Sequence, residues 1–272
     1  MLFRSEWLAW EWGADVILAA AHSAAGLKGV ALLGGALIAA TLALLFQFLL
    51  WQGVDAVVAL LVALVAGSAS TIHWLARPHL FTWLLLLVSL WLLESERRGP
   101  GGRVWLLAPL AALWANLHGG FALLPGVLSI YAAGSTLETL LGPRPWRWAG
   151  PARYAAVTVA AGLATLVNPY GWRLHAHIWA YLGSSFIRDR VEEFQSPRFR
   201  GESMAAFEVL LLAGLVAVGW LWRRRELSAA LLVLALAHLA LASARHVPLY
   251  VTAAAPVVGR MATAALGNWG GC

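Results

Sequence analysis

Apolar blocks alternate with short polar breaks along most of this chain. The blocks fall at about 29–51, 54–72, 79–93, 104–118, 120–141, 153–168, 205–222, 227–243 and 247–262. A helix needs about 20 apolar residues to cross a bilayer, and within lipid the backbone must satisfy its own hydrogen bonds. The pattern therefore predicts an all-α fold, a polytopic transmembrane helical bundle of about nine spans. Residues 1–272 form one transmembrane domain on this reading, with no internal repeat. The shorter stretch 12–25, interrupted by Asp15 and His22, is expected at the interface or re-entering, within an outer segment 1–28. Block 104–118 would reach only about 22 Å at 1.5 Å per residue. It is expected to end inside a polar cavity, where non-helical backbone is tolerated.

Composition agrees with that picture. Hydrophobic residues make up 61% and charged residues 12%, whereas soluble domains carry roughly 25% charged residues. The 16 Trp suit rings at both water interfaces. The net charge of +6 comes almost wholly from Arg, Lys28 being the only lysine. That charge sits in short loops beside apolar blocks, so membrane lipid is the expected partner and nucleic acid is not. Cys272 is the sole cysteine, which excludes an internal disulfide or thiolate metal site.

Threading nine spans puts Arg97, Arg98 and Arg103, then Arg144, Arg147 and Arg153, then Arg223, Arg224 and Arg225, and finally Arg260 on one side. The positive-inside rule makes that side cytoplasmic, and the general character points to a bacterial inner membrane. Segments 73–78, 117–120, 168–204 and 243–247 then lie outside, 168–204 as a long outer loop with an interfacial helix.

Five polar clusters share that outer side, and ionisable groups at membrane depth are costly enough to mark function. In the first, His73, Arg77 and His79 flank Pro78, which disfavours helix at Arg77. Two imidazoles and a forked guanidinium suit a phosphate, although Arg77 as a headgroup anchor is the plainer alternative. In the second, Asn116 and His118 border a tight hairpin whose Gly119 and Gly120 can take positive φ. They are expected to project into the cavity. In the third, Asn168 and Tyr170 surround Pro169 and read first as a helix stop. Next, Glu192, Glu193 and Gln195 belong to a mixed-charge stretch that is either a solvated face or a source of acid, base or metal ligand. Last, Arg245 and His246 precede Pro248 and repeat the pairing of a guanidinium with a broken helix. His238, by contrast, is expected as a hydrogen-bonded core residue. Glu11 and Asp15 stand four apart, on one face if helical, where a carboxylate beside a cationic pocket suits a general base.

These same segments, Trp10-Glu11-Trp12 with Asp15, Ile72–His79, Trp114–Phe121, Asn168–Gly171, Glu193–Pro197 and Arg245–Pro248, resemble a family of bacterial multi-span proteins grouped with GT-C-type membrane glycosyltransferases. The resemblance implies a GT-C-like fold and a site on the outer face. It also implies sugar transfer from a polyprenyl-phosphate-linked donor, with an acidic residue as base or as ligand to a divalent cation. Glu11 and Asp15 match that acidic role most nearly. Against the family pattern, the chain is expected to lack a first span and an acidic loop ahead of Trp10. Two other functions compete: a transporter or flippase for an anionic solute or lipid, and an inactive fragment or scaffold.

Overall fold

A computed structural model describes residues 8–200 and 204–269. Residues 1–7 of the expected outer segment, 201–203 of the expected outer loop and Cys272 lie outside that range. The described chain is helical without a strand. In order, it forms α1 (Trp12–Trp51), α2 (Ala56–Ser70), α3 (His79–Arg98), α4 (Leu107–Leu117), α5 (Leu123–Leu140), α6 (Ala149–Ala164), α7 (Trp172–Gly183), α8 (Ser185–Arg190), α9 (Met204–Arg223), α10 (Leu227–Ala242) and α11 (Val247–Trp269).

All nine apolar blocks fall on helices, but six stretches, not nine, are long and apolar enough to cross a membrane: Trp12–Trp51, Ala56–His73, His79–Arg98, Gly119–Leu140, Met204–Arg223 and Ala244–Gly267. The other three blocks form the shorter helices Arg103–Leu117, α6 and Leu227–Ala242. This is the build of a multi-pass helical membrane protein. The outward surface agrees: Val57, Leu60, Leu61 and Leu64 on α2 are at least half exposed. That i, i+3, i+4, i+7 stripe is what lipid covers.

Local sequence sets the helix ends. Gly26 breaks α1 at φ 62°, a region that a side chain on Cα disfavours. The break separates 12–25 from the span that follows. Asp55 caps α2, its carboxylate accepting from the N–H groups of Val57 and Val58 at 2.9 and 3.3 Å. Pro78 precedes α3 and Arg77 is non-helical, as its proline neighbour requires. Helix α11 is the central post, against which α2, α3, α9 and α10 lie. Small residues allow close approach elsewhere. A Cβ on Gly134 of α5 would stand 2.4 Å from the Ser228 Cα of α10, so these backbones touch as lipid-embedded helices often do.

The two ends of the bundle differ in kind. At one end, carboxylates pair with several of the arginines. Arg97 grips Glu138 at 3.1 and 3.2 Å, Arg153 meets Glu96, Arg260 meets Glu226 at 2.7 Å, and Arg98 lies 3.9 Å over the Trp51 ring. At the other end lie all five polar clusters. His238 corrects an expectation. It is exposed on α10 beside the outward Leu234 and Leu241, because its register falls on the outer stripe and not on the buried one.

Candidate functional site

A cavity of about 600 Å³ opens at this second end, lined by residues from five separate stretches of the chain. That is within the size range of small-molecule sites. Of the sequence candidates, Glu11, His73, Arg77, His79, His118, Glu193, Arg245 and His246 line it. Much of the remaining wall is apolar or aromatic, including Trp83, Leu123, Ile178, Leu239 and Leu249.

The break between α2 and α3 supplies His73, Arg77 and His79. The His79 Nε2–H donates to the His73 carbonyl at 2.8 Å, which closes the non-helical turn. The two rings lie edge to face at 5.5 Å. The His73 Nε2 is buried and meets no hydrogen-bonding group among the described residues. Buried polar atoms rarely stay unpaired, so this nitrogen is an unspent hydrogen-bonding group beside the cavity. The Arg77 guanidinium makes no ion pair or hydrogen bond among the described residues.

The short turn between α10 and α11 brings Arg245 and His246. Arg245 makes no ion pair among the described residues either; its guanidinium lies 4.4 Å from the Phe194 ring centroid. His246 Nδ1–H donates to the Leu239 carbonyl at 3.1 Å, which leaves Nε2 for other partners. The stretch after α8 carries Phe194 and Glu193, and the Glu193 carbonyl accepts from the Ser243 hydroxyl at 2.8 Å. Arg188 also lines the cavity. Three guanidinium groups therefore face two carboxylates, a net positive lining.

Glu11 sits just ahead of α1 and presents Oε1 to His118 Nε2 at 3.3 Å. Burial raises its carboxyl from 4.5 to about 7, against the pull of a backbone hydrogen bond at Gly119; Asp15 and Glu193 add to the rise, and Arg245 opposes it. Burial, then the nearby Arg245 and His79, lowers His118 to about 3. The imidazole is thus neutral, and its contact with Glu11 is a hydrogen bond to a carboxylate more than an ion pair. His118 Nδ1 accepts from the Gly120 N–H at 3.1 Å and stands 2.7 Å from the Thr82 Oγ1. Gly120 is demanded by space: an added Cβ would lie 2.8 Å from both of those atoms. Neither Gly119 nor Gly120 has positive φ. Close approach therefore replaces the expected turn geometry as the reason for glycine there.

The remaining candidates stand elsewhere. Asp15 is exposed in the first turn of α1 and does not line the cavity. Asn116 accepts from Trp12 Nε1 at 2.8 Å and donates to the Ala112 and Val167 carbonyls, both at 2.7 Å. It ties three segments together and does not project into the cavity. Asn168 Oδ1 accepts from the Tyr170 N–H at 2.8 Å, the Tyr170 hydroxyl accepts from the Ala9 N–H at 3.1 Å, and Gln195 donates to the Arg188 carbonyl. Glu192 is exposed, 3.9 Å from Arg198. Sequence reasoning missed Thr82, Trp10 and Tyr181 as cavity groups. Thr82 had one available signal, its place three residues after His79 on the same helical face.

Among the described residues, no group of three or more His, Cys, Asp or Glu is arranged to hold a metal ion. Comparison of the chain with protein-family models, with curated proteins and with solved structures finds no match.

Proposed function

We propose that this cavity transfers a sugar from a lipid-phosphate donor, at the outer face of a bacterial inner membrane, in a GT-C-like bundle whose shorter helices complete nine spans. One observation carries the reading. Arg77 and Arg245, from distant breaks in the chain, line the same cavity as a carboxyl raised to about 7, and neither guanidinium has a carboxylate partner among the described residues. Forked guanidinium donors suit phosphate oxygens, and a base poised near neutral pH suits an acceptor hydroxyl.

The chemistry balances as an inverting displacement. The acceptor oxygen forms a bond to the anomeric carbon while the bond from that carbon to the phosphate oxygen breaks. The departing lipid phosphate keeps the electron pair, and Arg77 and Arg245 receive its charge. The acceptor proton goes to Glu11. A transporter or flippase would place its site near mid-membrane between repeated halves, whereas this cavity lies at one end of the bundle.

The test uses protein reconstituted in vesicles with radiolabelled polyprenyl-phosphate sugars. Arg77→Ala and Arg245→Ala should each lower transfer by about 100-fold or more while membrane expression stays normal. Full activity in both variants sinks the phosphate clamp. Flux of donor or anion without sugar turnover supports the transporter instead.

A further inference from the structure

We infer that Thr82 is a positioning residue for Glu11: through His118, it fixes the single N–H that the carboxylate receives from a side chain in the cavity. The inference rests on the proposed role of Glu11 as base. It gives His118, expected from the sequence to project into the cavity, a role apart from the cations that hold the leaving phosphate.

Donor and acceptor accounting gives the direction of the relay. The Trp114 indole N–H can only donate, and it points at the Thr82 Oγ1 at 2.7 Å. Thr82 therefore accepts there, and its own proton is free for the His118 Nδ1 at 2.7 Å. The Gly120 N–H, which also can only donate, points at the same Nδ1 at 3.1 Å. A proton on Nδ1 would face that N–H head on, so the ring carries its hydrogen on Nε2. That atom faces the Glu11 Oε1 at 3.3 Å. Trp114 is fully buried and Thr82 is 4% exposed, so water does not replace either partner.

Two consequences separate this arrangement from ordinary packing. His118 cannot become an imidazolium without setting a new N–H against Gly120, so it neither clamps phosphate by charge nor shuttles protons. Glu11 instead receives an oriented hydrogen bond from a neutral ring beside the one from the Gly119 backbone, and remains available as base for the acceptor hydroxyl. Other charged groups act on Glu11 from neighbouring segments: Asp15 on α1, Glu193 beyond α8 and Arg245 before α11, with Tyr181 of α7 also close. None of them is bonded to the His118 ring.

The test reads the Glu11 carboxyl directly, so it does not depend on sugar transfer. Infrared difference titration, with Glu11→Gln to identify the band, would follow the carboxyl in nanodiscs. Nitrogen NMR of labelled histidine would report the His118 tautomer. In the unaltered protein the ring should carry its hydrogen on Nε2 throughout the titration. Thr82→Val removes the hydroxyl at nearly constant volume. With only the Gly120 N–H left to hold Nδ1, it should weaken the preference for the Nε2–H tautomer and move the Glu11 midpoint upward by about one pH unit, the size of one lost hydrogen bond to a charged group. Thr82→Ser should restore both readouts. An unchanged midpoint and tautomer in a folded Thr82→Val protein overturns the inference. A shifted midpoint in a protein that turns over no lipid-linked sugar would leave the relay standing and remove the glycosyl transfer. Where Thr82→Val fails to fold, Trp114→Phe removes only the upstream donor: a free Thr82 hydroxyl should then loosen the tautomer, and an unmoved tautomer counts against the relay.

Discussion

At the scale of single residues, the cavity shows what a carboxyl costs where water is scarce. A group whose acid form persists up to about 7 in the fold but titrates at 4.5 when exposed binds more protons folded than unfolded between those values. Stability therefore falls as pH rises through that window. The shift amounts to at most about 3 kcal/mol at 1.36 kcal/mol per unit. Glu11→Gln should abolish the proposed sugar transfer yet melt at a higher temperature than the unaltered protein at pH 8. Near pH 4.5 the two should converge. Thermal melts in detergent at the two pH values check this, and a variant no more stable at pH 8 would mean that Glu11 is wetter than the fold implies. Costly residues are also what made the site legible. Arg77, His118, Arg245 and His246 stand out from apolar surroundings, since each must be kept for a reason. Thr82 and Trp114 did not stand out, because a hydroxyl and an indole sit in apolar helices at little cost. Asn116, Asn168, Tyr170 and Gln195 partner backbone groups at the helix breaks, in keeping with the helix-stop reading of Asn168 and Tyr170.

At the scale of elements, hydrophobic blocks revealed the helices and prolines revealed their breaks, but neither indicates which helices touch. That is decided at the paired end by contacts between residues far apart in sequence. Arg97 of α3 holds both oxygens of Glu138 on α5, at 3.1 and 3.2 Å, and reaches the Ser228 hydroxyl of α10 at 3.0 Å. Ser228 N–H in turn donates to Glu138 at 2.8 Å. In sequence these arginines serve only as orientation signals, and the carboxylates that neutralise them went unremarked because no local spacing links residue 97 to residue 138. Breaking such a partly buried pair leaves a charge uncompensated, at a cost of about 3 kcal/mol or more. Arg97→Met should therefore lower the melting temperature clearly. Adding Glu138→Gln, which removes the orphaned charge but still accepts from Ser228, should restore most of the loss. Equal instability of the single and double variants would show that packing, not charge, holds α3, α5 and α10 together at that end.

For the whole molecule, the decisive asymmetry is electrostatic. At one end Arg97, Arg153, Arg224 and Arg260 meet Glu138, Glu96 or Glu226, while at the other Arg77 and Arg245 have no carboxylate partner among the described residues. Short arginine-rich loops suit the cytoplasmic face, which would hold the cavity on the outer side, where the proposed donor would be presented. Side-selective labelling tests that orientation, and the sequence makes it simple, since Cys272 is the only cysteine to remove. In a Cys272→Ser background, Ser185→Cys places a thiol at the exposed start of α8, on the cavity side, and Arg144→Cys places one in the exposed loop before α6, on the paired side. A membrane-impermeant maleimide should modify the first in intact spheroplasts and the second only after permeabilisation. The opposite pattern would put the cavity in contact with cytoplasmic solutes. Transfer at the outer leaflet would then be untenable, while the bundle, its paired end and the Thr82–His118–Glu11 contacts would stand unchanged.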